Sequence, residues 1–260
     1  SIAQVADILG ISKETLRRWD KNGKLVPKRH PKNKYRVYHR SQLEQFEQAQ
    51  LLFNSNWDEE VGIKPDRSYT LIELFAGAGG LAIGLENAGL KSSLLNEIDK
   101  NACATLRKNR PEWNVVEGDI AEIDFSQYRD KIDIVSGGFP CQAFSYAGKK
   151  RGFEDTRGTL FFEYARAVKE INPKVIVAEN VRGLLNHDDG RTLDTIKKII
   201  DELGYDLVEP KVLKAVFYQV PQKRERLILV AIRKDISKVV SFNWPAPYKR
   251  IMTMKDALKK

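Results

Sequence analysis

The residue best suited to covalent chemistry is Cys141, which lies in the segment Gly137-Gly-Phe-Pro-Cys-Gln-Ala-Phe-Ser145. An apolar stretch predicted to form a strand precedes this segment, so we expect the thiol on an exposed loop. The thiolate is the nucleophilic form of cysteine, and nearby positive charge favours it. Three cations follow at positions 149–151, and Arg224 and Arg226 could approach from elsewhere in the chain. The sequence therefore predicts that Cys141 is a nucleophile.

A glycine-rich turn and two acidic residues predict a pocket for a nucleotide-like ligand. The segment Leu71-Ile-Glu-Leu-Phe-Ala-Gly-Ala-Gly-Gly-Leu81 has the pattern of a strand, a turn and a helix. Glycines let the backbone approach a ligand closely and direct amide N–H groups at it. Glu97 ends the second predicted strand, where an acidic residue commonly binds ribose hydroxyls. Asp119 could accept a hydrogen bond from an adenine amino group. The alternative is that both acidic residues only cap the helices that follow them.

Five apolar stretches predict the strands that position these residues. Helix-like segments lie between the first four, so the pattern is α/β with a mostly parallel, doubly wound sheet. Ligands of such sheets bind beyond the carboxyl ends of the strands, and the motifs fall at such ends. The predicted strands are 70–74, 91–97, 132–136, 174–179 and 226–232.

The composition is that of a globular protein without a metal or disulfide framework. The 260 residues are 42% hydrophobic, which suits one large domain and one small one. No apolar run reaches the roughly 20 residues of a membrane span, and no cleavable leader is recognisable at the start. Two cysteines and three histidines argue against a four-ligand zinc site. We therefore expect a reducing, cytoplasmic setting, in which Cys103 is a small core residue.

The positive charge is concentrated near the start of the chain. The formal net charge is +9, and between Lys13 and Arg40 eleven Lys or Arg residues face only Glu14 and Asp20. The net charge of residues 13–40 alone is therefore +9, equal to that of the whole chain. A concentrated positive field steers a protein toward polyanions, and the alternative is a solvated surface without a partner.

The first residues predict two short helices joined by a tight turn. A helical apolar pattern ends at Gly10, Ser12 is expected to cap the second helix, and that helix should end near Gly23. Two short helices with a glycine-containing turn are typical of a helix-turn-helix.

A basic hairpin, the wing, is predicted to follow within residues 27–38. Ser41 is then expected to cap a further helix that carries Leu43, Phe46 and Leu51. Residues 54–68 are polar, contain a proline and lack periodicity, which predicts a linker. The expected organisation is a winged helix-turn-helix domain at 1–53, the linker at 54–68 and a catalytic domain at 69–260.

Four segments resemble the hallmark motifs of the cytosine-C5 DNA methyltransferases, in the order and spacing of that family. The resemblance covers about residues 69–247 and implies the S-adenosylmethionine-dependent methyltransferase fold, with S-adenosyl-L-methionine as cofactor and double-stranded DNA as substrate. The segments are Phe75-Ala-Gly-Ala-Gly-Gly80, Gly138-Phe-Pro-Cys-Gln-Ala-Phe-Ser145, Glu179-Asn-Val-Arg182 and Gln222-Lys-Arg-Glu-Arg226.

The resemblance implies a mechanism centred on Cys141. In the family the corresponding cysteine adds to C6 of cytosine, and Glu179 would hold and help to protonate N3. The activated ring then attacks the methyl group of S-adenosylmethionine at C5, a base removes the C5 proton and Cys141 departs. Arg226 would contact the base O2 or an adjacent phosphate, and Arg224 would brace the site. Because the base must leave the stack to reach the thiol, base flipping is expected.

The resemblance also implies contacts around the reacting atoms. Asn180 would orient the loop that carries Pro140, and Gln142 and Ser145 would contact DNA. The residues that carry over as cofactor contacts are Phe75, Ala76, Gly77, Gly79, Glu97, Ile98, Asp119, Ile120, Pro140 and Leu160.

Residues 12–27 resemble the winged helix-turn-helix of mercury-resistance-type regulators and phage excisionases. In those proteins the second helix enters the major groove and the wing touches the DNA backbone. The alternatives are a structural appendage or a protein-docking module. We hypothesise that this domain binds an operator near the enzyme's own gene, in which case removal of residues 1–60 would spare methylation; the equal alternative is that it adds only non-specific affinity for DNA. The implied DNA contacts are Lys13, Arg17, Arg18, Arg29, Lys32 and Lys34.

Nothing after Arg226 resembles the family's target recognition domain and final motifs. Either a second polypeptide supplies those parts, which we favour, or the chain is an expression fragment. In both cases we expect an apolar surface beside the first strand and its glycine turn. A restriction-modification system is the expected setting. The rival functions are a tRNA cytosine-C5 methyltransferase, and a DNA-binding regulator with a degenerate methyltransferase domain.

Overall fold

A computed structural model describes residues 1–140 and 160–258 of the chain. The predicted nucleophile Cys141, together with Gln142 and Ser145, lies outside the described residues. The described chain divides into two compact units. The first unit comprises residues 1–63, 214–224 and 243–258, and the sheet unit comprises residues 64–140, 160–213 and 225–242. No helix in the described ranges is both long and apolar enough to cross a membrane.

The first unit begins with the predicted pair of helices. Helix α1 (Ile2–Leu9) ends at Gly10, whose φ of 66° lies in the left-handed region that glycine tolerates. Helix α2 (Lys13–Lys21) begins at Ser12, whose Oγ accepts a hydrogen bond from the Thr15 amide at 3.0 Å. Leu16 is fully buried between the helices and the rest of a small apolar core.

The wing is a two-stranded antiparallel hairpin of β1 (Lys28–Arg29) and β2 (Arg36–Val37). Asp20, at the end of α2, accepts hydrogen bonds from Arg29 and Arg36 at 2.8 Å each. One carboxylate therefore joins the second helix to both strands of the wing.

The helix predicted to start at Ser41 is instead two short helices, so that prediction is wrong. His39 is the N-cap residue of helix α3 (Arg40–Leu43), and its backbone amide donates to the Gln42 side chain. Ser41 lies within the helix. Phe46 then adopts an extended conformation and α4 (Glu47–Phe53) follows. In α4 the buried residues are Ala49 and Leu52, whereas Leu51 is 58% exposed.

The segment predicted as a linker contains a further helix, α5 (Trp57–Val61). The first unit is completed by a 3-10 turn (Ala215–Phe217) and by α11 (Met254–Ala257). Residues from three distant stretches of sequence thus belong to the unit that the sequence predicted to end near residue 53.

The sheet unit confirms the predicted α/β fold. Within the described residues its sheet has eight strands, all five predicted ones among them: β3 (Tyr69–Leu74), β4 (Leu90–Glu97), β5 (Val115–Glu117), β6 (Ile134–Gly137), β7 (Val175–Val181), β8 (Tyr205–Leu207), β9 (Lys211–Lys214) and β10 (Glu225–Arg233). The order is β5-β4-β3-β6-β7-β10-β8, with β9 beside β10. Strands β3 to β7 are parallel, and β10 is antiparallel to β7 and β8. The helices are α6 (Gly80–Asn87), α7 (Lys100–Asn109), α8 (Leu160–Ile171), α9 (Arg191–Glu202) and α10 (Lys234–Ser237).

One buried carboxylate joins the amino ends of β3, β6 and β7. Asp133 accepts two hydrogen bonds from the Arg67 guanidinium at 2.7 and 3.0 Å, one from Lys174 Nζ at 2.8 Å and one from the Thr70 amide at 2.9 Å. These donors hold the pKa of Asp133 well below its ordinary value, the Arg67 hydrogen bonds most of all. The carboxyl ends of these strands lie on the opposite side of the sheet, where ligands of parallel sheets bind.

Candidate active site

The strand order reverses between β3 and β6, and this topological switch point lies at the centre of the candidate site. The chain runs from β3 outward to β4 and β5, then returns to β6 on the other side of β3. At such a point the turns after the two strands run in opposite directions, and ligands of parallel α/β sheets bind in the crevice beyond the carboxyl ends. The glycine turn follows β3 and the segment 138–140 follows β6, so these two segments flank the switch point.

The glycine turn after β3 has a backbone that glycine permits. Phe75, Gly77 and Gly79 have φ values of 58°, 54° and 85°. A Cβ at Gly79 would lie 2.7 Å from Leu106 Cδ2 and 3.1 Å from the Trp113 ring, so the turn packs tightly on its inner side. At Gly77 a Cβ would meet nothing within 4 Å, which leaves the outer side of the turn accessible.

Glu97, at the end of β4, is bonded to the glycine turn. Its Oε2 accepts from the Gly77 amide at 2.6 Å, and its Oε1 accepts from the amides of Ile98 and Asp99 at 2.9 Å each. The carboxylate thus fixes the turn against β4 and remains partly exposed at the edge. Ile98 next to it is 65% exposed and offers an apolar surface for a flat ring.

Asp119 caps the 3-10 turn that follows β5 (Ile120–Glu122), because its Oδ1 accepts from the Ala121 amide at 2.9 Å. The capping role named as the alternative is therefore present at this position. Ile120 is 2% exposed and packs in the main core, beneath the edge rather than on it.

Two buried polar residues that the sequence reasoning missed support this half of the site. Asn96 donates from Nδ2 to the carbonyls of Val116 at 3.2 Å and Gly118 at 3.0 Å, which ties β4 to the segment before Asp119. Glu73, the penultimate residue of β3, accepts from Ser136 Oγ at 3.3 Å and from the Ala82 amide in the first turn of α6. Burial raises the pKa of Glu73 to about 7. A polar residue within an apolar strand pattern was the available signal for both.

On the other half of the site, Glu179 and Arg226 form an ion pair, with Arg226 Nε 2.6 Å from Glu179 Oε1. Glu179 lies two residues before the end of β7 and stands opposite Ile228 of the antiparallel β10. Arg226 is two residues earlier on β10 and so lies diagonally across from Glu179 on the same face. The register of these two strands therefore brings two predicted catalytic residues together.

Asn180 holds the segment that leads to the predicted nucleophile. It is 3% exposed, and its Nδ2 donates to the Phe139 carbonyl at 2.8 Å. A Cβ at Gly138 would lie 3.6 Å from Glu179 Oε2, so the segment passes beside the ion pair. Pro140, the last described residue before Cys141, is exposed.

Gly137 allows β6 to pass close to its neighbours. A Cβ at this position would lie 2.9 Å from the Leu74 carbonyl oxygen and 2.9 Å from the Tyr164 ring. Any side chain here would displace the strand that delivers the Gly138–Pro140 segment.

Helix α8, which Leu160 begins, fixes the segment after β5 through Arg166. The guanidinium donates to the carbonyls of Ile120 at 2.7 Å and Ile123 at 3.1 Å. Glu163 and Glu170 on the same helix hold it at 2.7 and 2.8 Å. Arg166 was not predicted from the sequence.

Arg224 and the predicted DNA contacts of the N-terminal domain lie in the first unit. Arg224 is exposed there, whereas Glu179 and Arg226 belong to the sheet unit. Arg29 is paired with Asp20, and Arg17 with Glu14 at 2.5 Å. The predicted DNA contacts that are exposed are Lys13, Arg17, Arg18, Arg29, Lys32 and Lys34.

Two protein families match the chain. Residues 69–260 match the family described as C-5 cytosine-specific DNA methylase, and residues 1–38 match the MerR family regulatory protein.

Curated relatives match over the whole chain. The type II methyltransferase M.Eco47II of Escherichia coli is 68% identical over 260 residues, and M.PspPI of Psychrobacter is 57% identical over 259. Each match covers 100% of this chain but 62% of the relative, so the chain spans less than two thirds of their length. Among solved structures, one described as a DNA modification methyltransferase encoded within an E. coli prophage has a TM-score of 0.57 at 28% identity. That match covers 73% of this chain and 54% of the other.

Proposed function

The chain belongs to the C-5 cytosine-specific DNA methylase family, and from that membership we propose that it forms the catalytic and cofactor-binding part of a restriction-modification cytosine-C5 DNA methyltransferase. The observation that carries the proposal is the Arg226–Glu179 ion pair beside the segment that Asn180 holds. This arrangement places a carboxyl and a guanidinium where the residue before Cys141 leaves the sheet. This arrangement favours an active enzyme over a DNA-binding regulator with a degenerate methyltransferase domain.

The cofactor in this proposal is S-adenosyl-L-methionine, which supplies an electrophilic methyl group. The fit rests on the accessible outer side of the turn at Gly77, the carboxylate of Glu97 and the exposed Ile98. Glu97 would bind ribose hydroxyls and Asp119 the adenine amino group. Phe75, Ala76 and Gly79 would shape the turn, with Pro140 and Leu160 at the other border of the crevice and Ile120 in the core beneath it.

In the proposed chemistry the Cys141 thiolate adds to C6 of a cytosine flipped from the duplex. Glu179 holds N3 of the ring and helps to protonate it, which neutralises the negative charge that this addition creates. Arg226 keeps the Glu179 carboxyl oriented and contacts the base or a phosphate, with Arg224 bracing the site. Gln142 and Ser145 contact the DNA around the flipped base. Once C5 has accepted the methyl group, removal of the C5 proton allows the C6–sulfur bond to break, and the thiolate leaves.

Double-stranded DNA is the proposed partner, and a second polypeptide carrying the recognition domain stays a prediction. The match of residues 1–38 to MerR-type regulators favours a second role, in which the exposed cations of α2 and the wing bind DNA at an operator.

The proposal is tested by covalent trapping. Duplex DNA with 5-fluorocytosine at every cytosine should capture the enzyme, because the C5 fluorine cannot be removed as a proton. The chain is incubated with S-adenosylmethionine, alone and with a polypeptide carrying the parts of the longer relatives outside the match. A denaturation-resistant protein–DNA adduct that Cys141→Ser abolishes is expected. An adduct formed only on fluorinated tRNA would favour the tRNA enzyme, and no adduct in any mixture would refute the function.

A further inference from the structure

We propose that Trp57 of α5 is a positioning residue for the segment 214–224, which leads into Arg226, and that methyl transfer therefore depends on the first unit. The inference rests on the proposed function for the role of Arg226. It reverses the expectation that residues 1–60 can be removed without loss of methylation.

The Trp57 ring packs between two tyrosines that are distant in sequence. Its centroid lies 6.1 Å from that of Tyr218 and 5.6 Å from that of Tyr248, the latter edge to face. Tyr218 belongs to the segment 214–224, and burial raises its pKa to about 12. The helix inside the predicted linker thus forms an aromatic cluster with the segment that precedes Arg226.

Hydrogen bonds fix the same cluster. The Tyr248 amide donates to the Phe217 carbonyl at 2.6 Å, and Tyr218 Oη donates to the Pro245 carbonyl at 3.3 Å. Glu60 of α5 accepts from the Ala246 amide at 2.7 Å. Residues 243–250 are therefore bound to α5 on one side and to 217–218 on the other, all within the first unit.

Both ends of the segment 214–224 contact α1. Lys214 Nζ donates to the Asp7 carbonyl at 3.4 Å, and Lys223 Nζ pairs with the Asp7 carboxylate at 3.0 Å. The Ala215 amide donates to the Arg224 carbonyl at 2.9 Å and closes the segment into a loop. Two residues after this loop comes Arg226, which pairs with Glu179.

In this proposal the contacts within the first unit fix the loop 214–224, from which the chain continues covalently into β10 and Arg226. An arginine that must orient a carboxyl acts only from a fixed position, since small displacements of positioned groups reduce rates strongly. Trp57 itself is not expected to touch the base or the cofactor. Its loss should therefore affect the methyl-transfer step and leave cofactor affinity unchanged.

The test compares Trp57→Ala with the matched variant Trp57→Phe and with Leu51→Ala, which removes an exposed apolar side chain of the same unit. In an assembly that methylates DNA, Trp57→Ala should lower the single-turnover rate 10- to 100-fold at saturating cofactor and DNA. Its dissociation constant for S-adenosylmethionine should stay within twofold of wild type. Trp57→Phe and Leu51→Ala should retain the wild-type rate within threefold. A wild-type rate in Trp57→Ala, or an equal loss in Leu51→Ala, would overturn the proposal.

Limited trypsin digestion of the full chain gives a readout that does not need activity. Lys223 and Arg224 are cleavage sites at the end of the loop, and Trp57→Ala should speed cleavage there at least fivefold, whereas Trp57→Phe should not. Unchanged cleavage would refute the anchoring role. Inactivity of the wild-type assembly would instead count against the proposed function. Should Trp57→Ala not fold, Glu60→Gln weakens the same contact at the Ala246 amide and should give the same pattern with smaller effects.

Discussion

Arg226 Nε lies 2.6 Å from Glu179 Oε1, and both side chains are about one-quarter exposed. The contact follows from the register of β7 and β10, which places the two residues diagonally on one face. Charge-assisted hydrogen bonds of this length fix the orientation of a carboxyl group. The pair therefore aims Glu179 at the segment from which Cys141 continues.

Glu179→Gln should lower the single-turnover rate of methyl transfer by about 10²- to 10⁴-fold, the range over which a positioned acid or base contributes. Glutamine keeps the shape but loses the charge that Arg226 orients. DNA affinity should change by a few-fold at most. Glu225→Gln is the matched control, since Glu225 pairs with Arg182 next to the site. A Glu179→Gln enzyme with more than a third of the wild-type rate would contradict the assigned role.

Asn180→Leu and Asn96→Leu should separate the two halves of the site. Each removes a buried amide and leaves carbonyl oxygens without their donor, which should destabilise the protein by about 1–3 kcal/mol. Asn180→Leu releases the Phe139 carbonyl and should slow adduct formation with fluorinated DNA. Asn96→Leu releases Val116 and Gly118 and should weaken S-adenosylmethionine binding, measured by calorimetry. Identical defects in both assays for the two variants would show that neither residue acts locally.

The strands were predictable because strands of a covered parallel sheet form continuous apolar runs. The roles of Glu73 and Asn96 could not be predicted in this way, because a single polar residue scarcely alters an apolar run. Their roles depend on Ser136 and Val116, which come from other strands. Such residues are identified by their burial in the folded structure and not by the sequence around them.

Predictions from neighbouring residues were wrong where a structural element depends on contacts that the local sequence does not show. Ser41 looked like a cap because a serine preceded apolar residues, yet the Gln42 side chain bonds back to His39 instead. The segment 54–68 looked like a linker because it is polar, and the Tyr218 and Tyr248 partners of Trp57 lie far along the chain. Sequence could place the motif that ends at Arg226 but not the helix that holds the loop before it.

Arg166→Lys should weaken cofactor binding without weakening DNA binding. The guanidinium bonds two carbonyls of the segment after Asp119 at once, and the single ammonium group of lysine cannot reproduce that planar fork. We expect the KM for S-adenosylmethionine to rise about tenfold, with the KM for DNA within twofold of wild type. Arg129→Lys is the control, since Arg129 donates to carbonyls at the end of α8 instead. An unchanged KM for the cofactor together with a lower Tm would reduce Arg166 to a structural role.

Glu73→Gln should change how stability depends on pH. The folded pKa of Glu73 is raised to about 7, chiefly by burial, from an ordinary value of 4.5. Between these values the folded protein holds a proton that the unfolded chain has released, so stability falls as pH rises through this window. The loss is about 3 kcal/mol at most by pH 8.

Urea denaturation at pH 5 and pH 8 measures this effect. Wild type should lose more stability between the two pH values than Glu73→Gln, whose amide does not ionise. Ser136→Ala should steepen the wild-type slope, because the Ser136 hydroxyl donates to Glu73 and lowers its pKa. Parallel pH profiles for wild type and Glu73→Gln would mean that the carboxyl ionises without cost in the fold, through water or a rearrangement at the start of α6.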